Sequence, residues 1–212
     1  MSASNSDFVR LMVQEDVLQF GQFTLKSGRS SPYFFNLGKM DNARAITALG
    51  RAYAEKIVES GISFDVLYGP AYKGIPIAVA TAIALFEEHG INAGITFNRK
   101  EAKRHGEGGN LIGHELCGKV LILDDVITAG TAIRESLALL AESDALLTGI
   151  IVAMDRQELA ANGRTALASM ALEHGVPVDS ISNLEHVIAY MEKRGEDVDV
   201  LNKLKSHRAN YC

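Results

Sequence analysis

Val120-Leu121-Ile122-Leu123-Asp124-Asp125-Val126-Ile127-Thr128-Ala129-Gly130-Thr131-Ala132 says more about architecture than any other part of the chain. Its first four residues are a solid apolar run, too short for a helix and bounded by charge, which reads as a strand buried on both faces. Two carboxylates follow at once. Two hydroxyls around a glycine come next, and Ala132 to Ala141, rich in Ala, Leu and Glu, reads as a helix. The order is therefore strand, acid pair, hydroxyl and glycine loop, helix.

A helix N-terminus offers unpaired N–H groups and a partial positive charge to an anion, so a phosphate fits after Gly130. Gly130 lets the backbone come close, and Thr128 and Thr131 can donate to phosphate oxygens. Asp124 and Asp125, at the carboxyl end of the strand, can accept hydrogen bonds from sugar hydroxyls or hold a hydrated Mg²⁺. A phosphorylated sugar satisfies both halves. No G-x-x-x-x-G-K-[ST] occurs, and no G-x-G-x-x-G opens the helix, which disfavours a P-loop NTPase and a dinucleotide site. The bland alternative is a pair of N-capping acids ahead of an ordinary helix. The acid pair and hydroxyl-rich loop resemble the type I phosphoribosyltransferases, which bind 5-phosphoribosyl-1-pyrophosphate (PRPP).

The 212 residues suit one domain, or a core with a small appendage. Hydrophobic content is 47% and charged content 22%, which indicates a globular chain rather than disorder or a fibrous repeat. A net charge of −5 argues against general nucleic-acid or membrane-surface binding, so any positive site is local. Met1 to Phe8 lacks the apolar segment of a signal peptide. The longest apolar run, Ile75 to Phe86, contains Pro76 and falls short of the ~20 residues needed to span a bilayer, which predicts a buried core helix. Cys117 and Cys212 show neither a disulfide framework nor zinc-ligand spacing. The cytoplasm is the expected compartment.

Along the chain, Ser6 to Leu18 reads as a helix. Phe23 to Lys26 and Pro32 to Asn36 read as two short strands joined by Ser27-Gly28-Arg29-Ser30-Ser31. This N-terminal flap, roughly residues 1–40, precedes an α/β core over roughly 41–212. Asp41 is placed to N-cap a helix that Gly61 stops. Strands over Phe64 to Tyr68, Asn92 to Phe97, Lys119 to Leu123, Leu146 to Met154 and near Val176 to Ile181 alternate with helices over Gly74 to Glu88 and Gly163 to His174. Such alternation requires right-handed crossovers and a central parallel sheet flanked by helices, with ligands at the carboxyl ends of the strands.

Three strand ends carry unusual residues. After Tyr68 comes Gly69-Pro70-Ala71-Tyr72-Lys73-Gly74-Ile75-Pro76, shaped for a defined backbone path, with a cation beside a helix start. It reads as a pyrophosphate loop, or as a plain strand-to-helix turn with an exposed lysine. Arg99 to Asn110 gathers Arg99, Lys100, Lys103, Arg104 and His105, followed by glycines that deny it a fixed fold. A mobile basic lid fits, and a solvated charged loop is the alternative. Asp155-Arg156 ends the strand Leu146 to Met154. That arginine can make a paired planar bond to a carboxylate or base edge, or a structural ion pair.

Taken together, the flap, the pyrophosphate loop, the lid and the acid-pair motif resemble the orotate phosphoribosyltransferases over nearly the whole chain, from Phe20-Gly21-Gln22-Phe23-Thr24-Leu25-Lys26-Ser27-Gly28-Arg29 to beyond Arg156. The resemblance implies a type I phosphoribosyltransferase fold with a hood, a homodimer, Mg²⁺ dependence and a cytoplasmic place in pyrimidine synthesis: orotate plus PRPP gives orotidine 5′-phosphate and pyrophosphate. It implies orotate contacts from Lys26, Phe34, Phe35, Thr128 and Arg156. For PRPP it implies Tyr72 and Lys73 at the pyrophosphate, and Asp124, Asp125, Val126, Ile127, Thr128, Ala129, Gly130, Thr131 and Ala132 at the ribose and 5′-phosphate. Arg99, Lys100, Lys103 and His105 form the lid, partly reaching a neighbouring subunit. Lys103, Lys73, Asp124 and Asp125 are the expected catalytic residues, and Mg²⁺ is held mainly through PRPP, with Asp124 or Asp125 as further ligands. No nucleic acid and no membrane are expected as partners. A non-catalytic PRPP sensor and a purine phosphoribosyltransferase are the rival readings.

Overall fold

The computed structural model describes residues 3–25, 28–103, 109–127, 130–195 and 197–212. Helix α1 (Ala3–Gln14) is followed by an antiparallel hairpin of β1 (Leu18–Thr24) and β2 (Ser30–Phe35). The expected helix to Leu18 thus stops four residues early. Asp16 takes a left-handed φ of 54°, which an aspartate tolerates, and Val17 and Leu18 leave the helix for the core. The first flap strand begins at Leu18 rather than Phe23; Lys26 and Ser27 lie outside the described residues.

Helix α2 (Ala43–Ser60) is N-capped by Asn42, not Asp41: the Asn42 side chain accepts from the Ala45 N–H. Gly61, at a φ of 64°, ends it as expected. Then come β3 (Val66–Gly69), α3 (Gly74–His89), β4 (Gly94–Lys103), β5 (Gly109–Gly113), β6 (Cys117–Asp124), α4 (Thr131–Ala141), β7 (Asp144–Asp155), α5 (Ala166–His174), β8 (Val178–Asn183), α6 (Leu184–Arg194) and α7 (Val198–Tyr211).

Among the described residues the main sheet has the order β5-β4-β3-β6-β7-β8, parallel except for β5. Strand alternation divides its apolar side chains between two layers. Leu67, Leu121, Leu123, Ile151 and Ala153 face a cluster with Leu49 and Tyr53 of α2 and Ile77 and Leu85 of α3. Val66, Tyr68, Val120, Ile122, Ile150 and Val152 face Ile133 and Leu140 of α4 and Leu167 and Met170 of α5. The hood belongs to the first cluster through Phe8, Val17, Leu18, Tyr33 and Phe35. Burying each such side chain contributes about 1.5–3 kcal/mol, so hood and sheet stabilise one another.

The chain leaves β3 toward β4 and β5, then returns to place β6 on the opposite side of β3. This reversal opens a crevice at the carboxyl ends of β3 and β6. Among the described residues no helix is long and apolar enough to cross a membrane. Helix α3 is not wholly buried, contrary to the reading of Ile75 to Phe86. Ile83 is 52% and Phe86 61% exposed, on a face that no other element covers among the described residues.

Candidate active site

Two loops meet in the crevice. The first follows β3, and its glycines are fixed by space: a Cβ on Gly69 would lie 2.2 Å from the Gly74 carbonyl oxygen. A Cβ on Gly74 would lie 2.6 Å from the Pro70 ring. The loop therefore folds back on itself, and the Gly74 N–H donates to the Pro70 carbonyl at 2.9 Å. The Ala71–Tyr72 peptide bond is cis, and the Ala71 N–H donates to Asn98 Oδ1 of β4 at 2.8 Å. Tyr72 is exposed, with the Lys100 ammonium 4.9 Å from its ring centre.

The second loop follows β6. Asp124 and Asp125 are both buried, the Asp125 N–H donates to Asp124 Oδ1, and the Val126 N–H donates to Asp125 Oδ1. Tyr53 of α2 donates its hydroxyl to the Asp124 carbonyl at 2.7 Å, pinning the strand end from below. Burial first, and the Asp125 carboxylate second, push the Asp124 carboxyl up to about 7. Lys73 crosses from the first loop and donates to Asp125 Oδ2 at 2.6 Å. The lysine of the first loop and the acid pair of the second are thus brought into direct contact.

Helix α4 opens after Gly130, which sits at a φ of 70° and makes no side-chain cap bond. The first N–H groups of a helix have no partner within it, so those of α4 can serve an anion. Thr131 is exposed and Ala132 half-buried there, while Ile127 turns its side chain into the core, so only its backbone can face the crevice. Thr128 and Ala129 lie outside the described residues.

The basic segment differs from its expected form. Its flanks are strands: β4 runs on to Lys103, and β5 starts at Gly109, with Asn98 paired to Leu111 and Lys103 to Gly109. Gly106 and Gly108, on which the expectation of a loop without a fixed fold rests, lie outside the described residues. Arg104 to Gly108, with His105, and the Lys103 side chain lie outside the described residues. Arg99 keeps a buried Nη1 with no hydrogen-bond partner among the described residues, a donor left for an acceptor from outside.

On the hood, Phe34 and Phe35 cannot both present a ring. Neighbours in a strand point to opposite faces, so Phe34 is 37% exposed and stacks on Phe23, while Phe35 is buried in the core. From Phe35 only the backbone can meet a ligand. Arg156 is held by Glu158, whose Oε1 accepts from both its Nε and its Nη2. The sequence reading missed Glu158, Tyr53 and Asn98; each acts on a partner far along the chain, which local spacing does not show.

Two buried carboxylates, with the Asp124 carboxyl pushed up and Lys73 facing Asp125, form a hard-oxygen, electron-rich site, and these residues fit Mg²⁺. Residues 37–166 match the family model described as "Phosphoribosyl transferase domain". The chain is 50% identical over 211 residues to orotate phosphoribosyltransferase of Vibrio cholerae, covering 100% of this chain and 99% of the relative. It is 50% identical to that of Pseudomonas aeruginosa over the same shares. The crystal structure of orotate phosphoribosyltransferase from Francisella tularensis superposes with a TM-score of 0.86 at 37% identity, over 97% of this chain and 98% of that one.

Proposed function

Because the chain belongs to the orotate phosphoribosyltransferases, we propose that the crevice between the Gly69–Gly74 loop, the start of α4 and the hood is where its reaction takes place. The enzyme transfers the 5-phosphoribosyl group of PRPP to orotate, giving orotidine 5′-phosphate and pyrophosphate in pyrimidine synthesis. The observation that carries the site assignment is the Lys73–Asp125 contact, which joins the two loops at the point where the strand order reverses.

In this reading Asp124 and Asp125 accept from the ribose hydroxyls. The open N–H groups at the start of α4, with Thr128 and Thr131, hold the 5′-phosphate. Lys73 is half exposed, so its pair with Asp125 contributes little, roughly 0–1 kcal/mol, and it can turn to diphosphate oxygens. Tyr72, Arg99, Lys100, Lys103 and His105 complete the diphosphate side, part of it reaching a partner subunit. Orotate lies under the hood, against Lys26, Phe34, the Phe35 backbone, Thr128 and Arg156.

Negative charge grows on the departing diphosphate as the anomeric carbon gains oxocarbenium character, so fixed cations stabilise the transition state without a protein nucleophile. Asp124 or Asp125 would help PRPP to hold Mg²⁺, whose charge would further neutralise the leaving group. Water is kept from the sugar by the β4–β5 arms on one side and the hood on the other. A homodimer is supported by the apolar groove between α2 and α3, lined by Ile46, Pro76, Val79 and Ile83, which a second copy would cover. PRPP is a multiply charged sugar that does not cross lipid unaided, which supports a cytoplasmic setting.

The test is a direct assay with PRPP and Mg²⁺, offering orotate, adenine or xanthine. Consumption of orotate alone, abolished by chelation and restored by Mg²⁺, is expected. Turnover of a purine base, or PRPP binding with no turnover, would overturn the reading in favour of a purine enzyme or a sensor.

A further inference from the structure

Glu158 sits at the centre of a side-chain cluster of which the reaction described above uses only Arg156. Its Oε1 accepts from Arg156 Nε at 3.0 Å and Nη2 at 2.6 Å, and lies 3.1 Å from His207 Nε2. Its Oε2 accepts from Arg29 Nη1 at 2.9 Å. The three partners come from the end of β7, from α7 and from the hood. Only 15% of the Glu158 side chain, 11% of Arg156 and 3% of His207 are exposed, so the bonds are shielded from solvent.

Around this centre the Tyr33 ring covers the Arg156 guanidinium at 4.2 Å, and Ser31 Oγ accepts from Arg156 Nη2 at 3.0 Å. The Tyr211 ring packs on Arg29 at 4.6 Å. Arg156 Nε and Nη2 are therefore engaged, whereas Nη1 makes no hydrogen bond among the described residues. An arginine held in one plane before substrate arrives has already lost its rotamer freedom, so that loss does not weaken binding.

We propose that Glu158 is a positioning residue for the orotate subsite: it fixes the Arg156 guanidinium so that the free Nη1 edge is presented to the carboxylate of the substrate. Arg29 and His207 anchor Glu158 from the hood and from α7, which makes the last helix a support of the pyrimidine subsite. The inference rests on the assignment of Arg156 to orotate.

Steady-state kinetics of Arg156→Ala and Glu158→Gln separate the two. Arg156→Ala is expected to raise the KM for orotate strongly. Glu158→Gln is expected to raise it by about tenfold, with kcat and the KM for PRPP changed by less than about twofold. An unchanged orotate KM in Arg156→Ala removes the assignment of Arg156. A raised orotate KM in Arg156→Ala together with an unchanged one in Glu158→Gln removes the positioning role alone. Equal losses in all three constants with a lowered Tm would mean a purely structural residue and also overturn it. Should Glu158→Gln not fold, the double variant with Arg29→Gln removes one surplus cation, and the same selective rise in orotate KM is expected of it.

Discussion

Asp124 shows how burial tunes one group. In the unfolded chain it titrates as an ordinary carboxyl, near 3.8, whereas burial and then Asp125 raise it to about 7 in the folded protein. Between those values the native state holds the extra proton, so stability is full below about pH 4 and falls as pH rises toward 7. The cost above pH 7 is on the order of 4 kcal/mol, and bound Mg²⁺ or ribose hydroxyls would offset it. Asp124→Asn is therefore expected to raise the Tm of the unliganded protein at pH 8 more than at pH 5. It is also expected to weaken PRPP binding about tenfold or more at pH 8. Paired thermal melts and calorimetry check both, and a Tm gain independent of pH would contradict the burial argument. The adjacency of Asp124 and Asp125 made this pair readable from sequence. Glu158 was not, because its bonds to Arg29 and His207 span 129 and 49 residues.

At the scale of elements, the β4–β5 arms are where expectation and structure part. Charge and glycine describe a loop, yet antiparallel pairing of Asn98 with Leu111 carries the strand out to Lys103. Long-range backbone bonds override local preference here, as strand propensity depends on its neighbours. Beyond Phe97 the described β4 pairs only with β5, and Lys103→Ala is expected to lower kcat by about 100-fold, a typical loss for one electrostatic contact in a transition state. Tm should move by less than about 2 °C, in keeping with a surface substitution. Full kcat in that variant would take the lysine out of the chemistry. The Gly69–Gly74 loop behaves in the opposite way: its glycines and prolines announced a fixed path, and close contact between Gly69 and Gly74 explains why.

At the scale of the whole molecule, one face of α3 is left uncovered among the described residues. Ile83 and Phe86 are too exposed for an ordinary surface helix, and the groove beside them runs along α2. A second copy seated there would bring the two protomers' β4–β5 arms into one assembly. Sedimentation at twice the 22.9 kDa chain mass is expected. The double variant Ile83→Glu, Phe86→Glu is expected to sediment as a monomer and to lose most activity while still folding. A dimer that survives it would move the interface elsewhere.

The alternation of apolar runs with helical segments was enough to determine an α/β fold around a mostly parallel sheet, because buried parallel strands leave few other patterns. The acid pair, Gly130 and the Lys73 loop were local in sequence and so equally plain. Three things required the folded chain. The Lys73–Asp125 contact joins residues 52 apart. The splitting of Phe34 from Phe35 depends on which face of β2 meets the core. The hold of Glu158 on Arg156 depends on the hood and the last helix closing on the same point. Each turns on which distant elements pack together, and packing is decided by the burial of the whole set of apolar faces at once rather than by any stretch alone.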